Sequence, residues 1–161
     1  MPLFESAGDL ARVLPVFLVR CGVAAICGGL IGIERELKEK PAGFRTNILI
    51  CLGSSIYMSI GLLLPDDDVD PTRIAAQVVT GIGFLGAGCI IQAGQQIRGL
   101  TTAATIWVVA AIGIVSGAGY PVLALTASVM VIITLAALQT VEKRMLASRT
   151  DDLPDRTDNS R

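Results

Sequence analysis

Gly81-Ile82-Gly83-Phe84-Leu85-Gly86-Ala87-Gly88-Cys89-Ile90-Ile91 is an apolar run carrying four glycines. In a soluble helix each would weaken the structure by about 1 kcal/mol against alanine. In a bilayer, small residues let neighbouring backbones touch, and that contact is how membrane helices gain packing energy. The run therefore predicts the centre of a tightly packed helical membrane bundle. Gly81-x-Gly83-x-x-Gly86 also matches a dinucleotide fingerprint in form. It lacks a preceding strand and an acidic residue about 20 positions on, so packing is the better reading.

The rest of the chain agrees. Its 161 residues are 52% hydrophobic with a mean hydropathy of +0.65, too apolar for a soluble domain. The first twelve residues hold Glu5, Asp9 and a single base, Arg12, so a basic leader is not expected. Histidine is absent, which removes serine–histidine chemistry and the easiest proton shuttle. Cys21, Cys27, Cys51 and Cys89 sit in apolar blocks without paired spacing and read as small buried thiols. No metal site, cofactor or catalytic residue is expected. The lack of a basic patch with interleaved aromatics argues against nucleic acid.

Five blocks are long enough to cross a bilayer: Leu10–Ile33, Thr46–Leu64, Ile74–Ile91, Thr101–Ser116 and Val122–Val141. The predicted fold is an all-α bundle of five transmembrane helices over residues 10–149. Residues 1–9 form an extracytoplasmic N-terminus and 150–161 a disordered cytoplasmic tail. Arg35, Lys38, Lys40, Arg45, Arg98, Lys143, Arg144 and Arg149 fall on one side, which the positive-inside rule makes cytoplasmic. The N-terminus, the acidic stretch Asp66–Asp68 with Asp70, and the turn at 117–121 fall on the other. Small-residue ladders at four-residue spacing, Ala24/Gly28/Gly32 and Gly113/Gly117, extend the packing signature of Gly81, Gly83, Gly86 and Gly88.

Arg20 lies near the middle of the first block, where a charge costs about 2.5–3.5 kcal/mol on the lenient insertion scale. Ser55, Ser59, Gln77, Thr126 and Ser128 lie at similar depth, and no carboxylate does. Arg20 therefore faces carbonyls and hydroxyls, a wet cavity or an anion: either an interhelical staple or a functional group in an aqueous crevice. At the cytoplasmic edge, three helix ends bring together Glu34, Arg35, Arg45, Asn47, Thr101 and Thr102. Helix N-termini favour acidic groups, so Glu34 is expected to pair with Arg35 or Arg45.

Gly28-Gly29-Leu30-Ile31-Gly32-Ile33-Glu34-Arg35-Glu36, Ala42-Gly43-Phe44-Arg45-Thr46, the run from Gly81 to Gly88, and Gly99-Leu100-Thr101-Thr102-Ala103-Ala104-Thr105-Ile106-Trp107 together resemble the MgtC/SapB family of bacterial inner-membrane proteins. The resemblance covers about Val19 to Glu142. It implies five spans with the N-terminus outside and the C-terminus inside, matching the charge argument. It further implies a role in growth under magnesium limitation and, in pathogens, survival inside macrophages. That role is non-enzymatic restraint of another membrane complex such as the ATP synthase, with small membrane peptides as further partners. The family's charged motif positions fall on Glu34, Arg35, Arg45 and Arg73. Longer members continue into a soluble ACT-like domain, so roles depending on that domain are not expected here. A homo-oligomer is expected, a dimer first, because the small-residue surfaces exceed what five helices need. The competing reading is an ion transporter or channel, against which the central Arg20 and the scarcity of acids weigh.

Overall fold

The computed structural model describes residues 7–63, 70–93 and 96–151. The elements run α1 (Ala7–Leu37), α2 (Phe44–Leu63), α3 (Pro71–Gly88), β1 (Ile91–Ala93), β2 (Gln96–Arg98), α4 (Leu100–Gly117) and α5 (Pro121–Asp151). Leu10–Leu37, Phe44–Leu63, Leu100–Gly117 and Pro121–Val141 are long and apolar enough to cross a membrane. α3 matches α4 at 18 residues, about 27 Å. Its Arg73, Gln77, Thr80 and glycines dilute its apolarity. It packs beside α4, with Gly86 against Ala103, so the fifth crossing rests on that pairing and not on hydropathy.

Local signals end the helices. Glu39 takes a left-handed φ of 51°. Its N–H donates to Glu36 O and that of Lys40 to Arg35 O, closing α1 before Pro41. Gly119 (φ 91°) does the same for α4 ahead of Pro121. Asp70 caps α3, accepting the Thr72 N–H at 2.8 Å, with Pro71 in the first turn.

Several predicted bounds shift. α1 begins at Ala7 and continues past Ile33 to Leu37, and α5 runs past Val141 to Asp151, taking in the first two residues of the predicted tail. Residues 1–6, 64–69 and 152–161 lie outside the described residues, and with them most of the predicted N-terminal segment, the Asp66–Asp68 stretch and most of the tail. The third predicted block runs to Ile91, but α3 ends at Gly88 and the segment before α4 is not helical. It forms an antiparallel hairpin with Ile91 opposite Arg98, Gln92 opposite Ile97 and Ala93 opposite Gln96.

α2 runs between α1 and α4 and touches both through glycine. An ideal Cβ on Gly28 would stand 2.5 Å from Asn47 O and 2.9 Å from Cys51 Cβ; on Gly32, 2.7 Å from Phe44 Cα. From the other side, Gly113 abuts Cys51 O and Ser54, and Gly117 meets Ser55 O at 2.5 Å. Cys51 is thus held between Gly28 and Gly113, fully buried. Around it pack Ala24, Cys27, Ile31, Ile106, Val109 and Ala110. α5 adds a single stripe, Ala124, Ser128 and Leu135.

The glycine-rich run does not occupy the centre. Gly81, Gly83 and Gly88 meet nothing within 4 Å, and Phe84 is 81% exposed. Only Gly86 lies against a neighbour, Ala103 at 3.7 Å. The close backbone approaches belong to the two ladders on α1 and α4, and α3 sits at the edge of the bundle.

Substitutions at the two kinds of glycine should therefore diverge. Gly113→Ala forces α2 and α4 apart and should cost about 1–3 kcal/mol. Gly81→Ala should leave stability unchanged or raise it by up to about 1 kcal/mol. Thermal unfolding of the purified variants in one detergent measures both.

Candidate functional site

Along α1, Arg20, Ala24, Cys27, Ile31 and Arg35 recur at three- and four-residue spacing and share one helix face. The last four are at most 1% exposed. Arg20 Nη1 donates to Gly117 O at 2.8 Å, and Arg35 Nη2 donates to Thr102 Oγ1 at 3.3 Å. Fifteen residues separate the two arginines on α1, and fifteen separate Thr102 from Gly117 on α4. Each interval is about 22 Å. The arginines therefore bracket α4, one at either end, and the two helices run antiparallel.

At the outer bracket Arg20 meets the negative end of the α4 dipole, where a cation is favoured. Its own carbonyl accepts from Ser116 Oγ at 2.8 Å and Ser55 Oγ at 3.4 Å, and Ser59 Oγ donates to Gly117 O at 3.2 Å. A Cβ on Gly119 would stand 3.0 Å from Arg20 Nη2. Of the two sequence readings for Arg20, this is the staple. Ser55 and Ser59 take part in it. Gln77 does not: it is exposed on α3.

The inner bracket is different. Arg35 is 1% exposed, yet its Nε and Nη1 have no hydrogen-bond partner among the described residues. A buried charge without a counter-ion costs several kcal/mol. Glu34 makes no salt bridge with it among the described residues, although its carboxylate is near enough to act on the guanidinium through charge. Neighbours in sequence do not face each other on a helix, and Glu34 Oε1 lies 2.5 Å from Lys38 Nζ instead. That contact brings opposite charges together without hydrogen-bond alignment, and neither Glu34 oxygen makes a hydrogen bond among the described residues. The expected pairing of Glu34 with Arg35 or Arg45 is therefore not the one formed.

The acid at a helix N-terminus is Glu36, a residue the sequence reading passed over. Its Oε2 accepts the Phe44 N–H at 2.9 Å, capping α2, and a side chain on Gly43 would strike that carboxylate. Asn47 Nδ2 donates to Ala42 O and to Gly43 O, the latter at 2.8 Å, fixing the turn into α2. Arg45 is exposed and borders a cleft of about 750 Å³ with Glu36, Phe44 and Thr46. Thr101 is exposed, and its carbonyl accepts from Thr105 Oγ1 at 2.7 Å. The edge thus brings together Arg35 with Thr102 and Glu36 with the start of α2. Glu34 stands apart with Lys38.

Arg73 and Gln77 belong to a separate feature. They line a groove of about 850 Å³ between α2 and α3, with Leu49, Gly53 and Tyr57 on one wall, Gly81 and Leu85 on the other, and Ile106 at its floor. Gly53, like Gly81, has nothing within 4 Å.

Two measurements check this geometry. Arg20→Met removes a charged hydrogen bond and should destabilise the protein by about 1.5–3 kcal/mol, read as a lowered unfolding midpoint. Asp70 is held below its ordinary value of 3.8, first by the Thr72 hydroxyl and then by the Thr72 N–H. A lowered carboxyl stabilises the fold above its ordinary value, and that support is lost as pH falls through the still lower folded value. Hydrogen-exchange protection at the start of α3, taken relative to the intrinsic rate at each pH, should therefore stay unchanged down to about pH 4 and fall below it, and Asp70→Asn should abolish the dependence.

Comparison with known proteins follows the same segments. The family model described as the MgtC family matches residues 21–144. The "Putative magnesium transporter YhiD" of Escherichia coli (strain K12) is 46% identical over 137 residues, covering 81% of this chain and 64% of its own. "Protein MgtC" of Brucella abortus (strain 2308) is 47% identical over 116 residues, 72% of this chain and 48% of its own. "Protein MgtC" of Salmonella typhimurium (strain 14028s / SGSC 2262) is 39% identical over 138 residues, 86% and 57%. This chain spans about half to two-thirds of the length of these relatives. No solved structure matches. With the family model covering both arginine brackets except Arg20 itself, and every glycine of the α2 contacts, the chain belongs to the MgtC family.

Proposed function

We propose that this chain is a non-enzymatic regulator in the bacterial inner membrane, serving magnesium homeostasis by binding another membrane complex such as the ATP synthase. The magnesium connection comes from a relative named as a putative magnesium transporter, and the regulatory role from the family resemblance. The observation that carries the binding role is the groove between α2 and α3. It is about 850 Å³, mostly apolar, and walled by two glycines at which an added Cβ would meet nothing within 4 Å among the described residues. Small residues on facing walls suit a partner helix, because they let its backbone come close. A membrane peptide or a second copy of the chain would fit the same geometry.

A second reading, transport of magnesium, is favoured by that relative's name and by Glu34, whose oxygens are buried and only contacted by Lys38. Against it stand the two arginines at either end of α4, which raise the energy of a cation between them. Magnesium sites use one or two carboxylates and retained waters, and Glu34 is already opposed by Lys38.

Two experiments separate the readings. Purified chain in liposomes holding a magnesium-sensitive dye should give no flux above empty liposomes; flux lost in Glu34→Gln would overturn the regulator. In inverted membrane vesicles, adding the chain should lower ATP-driven acidification. Gly53→Leu with Gly81→Leu should abolish that effect while the unfolding midpoint stays within about 2 °C, a shift corresponding to roughly 0.5–1 kcal/mol.

A further inference from the structure

The inner bracket carries a feature that neither regulation nor transport uses. α4 starts at Gly99, which has φ 91° and no side-chain cap. The first helical hydrogen bond across this boundary is Ala103 N–H to Gly99 O, so the N–H groups of Leu100, Thr101 and Thr102 have no acceptor within the helix. An N-terminus with no side-chain cap and three N–H groups unbonded among the described residues attracts anions. Beneath it lies Arg35, 99% buried, its guanidinium joined to Thr102 in that first turn and two of its nitrogens without a partner among the described residues. At the mouth, Arg98 is exposed one residue before the cap. Glu34, the acid next to Arg35 in sequence, is engaged by Lys38.

We infer that Arg35 and the first turn of α4 form a binding site for a phosphate group. Three backbone N–H groups and a guanidinium, with one hydroxyl able to donate or accept, make a donor-rich set. That is the chemistry that holds the several oxygens of a phosphate. Leu100 and Thr101 are exposed, so the first turn of α4 can be reached from the surface of the bundle. The anion enters at this surface, and Arg35 moves from the Thr102 hydroxyl to meet it. Two sources offer the same chemistry at a cytoplasmic helix end: free phosphate, or the phosphodiester of an inner-leaflet lipid. The inference holds whichever reading of the function is right, since it concerns neither the α2–α3 groove nor Glu34.

The test uses the full chain in a maltoside detergent, with its single tryptophan, Trp107 on α4, as reporter. The probes are inorganic phosphate, chloride at equal ionic strength, and short-chain phosphatidylglycerol in mixed micelles with diacylglycerol as the phosphate-free control. Phosphate at ten times its Kd should raise the unfolding midpoint by about 3–6 °C and change Trp107 emission saturably, while chloride does neither. If only phosphatidylglycerol acts, the source is the lipid headgroup and the site stands. Arg35→Lys keeps the charge but loses the fork, and should weaken binding about tenfold or more. Should Arg35→Lys not fold, Arg98→Gln, at the exposed mouth, should weaken binding severalfold instead. No response to either phosphate source, or an equal response in Arg35→Lys, or in Arg98→Gln where Arg35→Lys does not fold, overturns the inference.

Discussion

Helices surrounded by hydrocarbon gain nothing by hiding leucine from water, because the lipid tails outside are as apolar as the bundle inside. Association has to come from contact at short range, and here α2 supplies the shared surface. Gly28 and Gly32 bring α1 onto it and Gly113 and Gly117 bring α4, with backbone carbonyls of Asn47, Cys51 and Ser55 at the points of touch. Once these three helices are locked, the register between α1 and α4 is fixed, and so is the position of both arginines. α3 packs chiefly on α4 and also on α2, and α5 packs on both α1 and α4.

The brackets follow from that register and differ in what they achieve. Arg20 ends on the carbonyl of Gly117, at the negative pole of α4, with three serine hydroxyls tying the same point. Hydrogen bond and dipole act in the same direction there, so a charge that would be costly alone becomes structural. Arg35 reaches the opposite pole, where the dipole repels a cation, and holds one hydroxyl at 3.3 Å. Outer end and inner end use the same residue type against opposite ends of one helix. Arg20 sets one nitrogen on a carbonyl and leaves Nε without a partner among the described residues, whereas Arg35 leaves both Nε and Nη1 so.

Much of this could be read from residue order. Block length and the sidedness of lysine and arginine gave five helices. The four-residue spacing of Gly28/Gly32 and Gly113/Gly117 marked the faces that touch, whereas for Arg20 the choice between a staple and a wet crevice stayed open until the end of α4 was seen to meet it. Which glycines would be used was not legible. Gly81 and Gly88, seven residues apart on one helix face, carry the same signature as Gly113 and Gly117, and spacing identifies a face without naming its neighbour. The acid at the α2 N-terminus was misplaced by two residues for a similar reason: Glu34 and Glu36 both end α1. The turn through Glu39 and Ala42, each at positive φ, decides which of them folds back onto Phe44. The hairpin escaped because three-residue strands leave too little alternation to separate from a loop.

The bare glycines of α3 bear on what the bundle is for. A glycine that brings two backbones together offsets its loss of helix propensity through the contact it permits. Gly28, Gly32, Gly113 and Gly117 do this. Gly81, Gly83 and Gly88 do not among the described residues, and each still carries the propensity penalty, about 1 kcal/mol against alanine in a soluble helix. Gly53 on the facing wall stands in the same position. Fold stability of one chain therefore gives no account of these residues, whereas a helix seated in the groove would turn the same missing side chains into contact area on both walls. That difference, between glycines the fold consumes and glycines it leaves open, is the physical ground for reading α3 as a surface for a partner and the α1–α2–α4 triad as the frame that presents it.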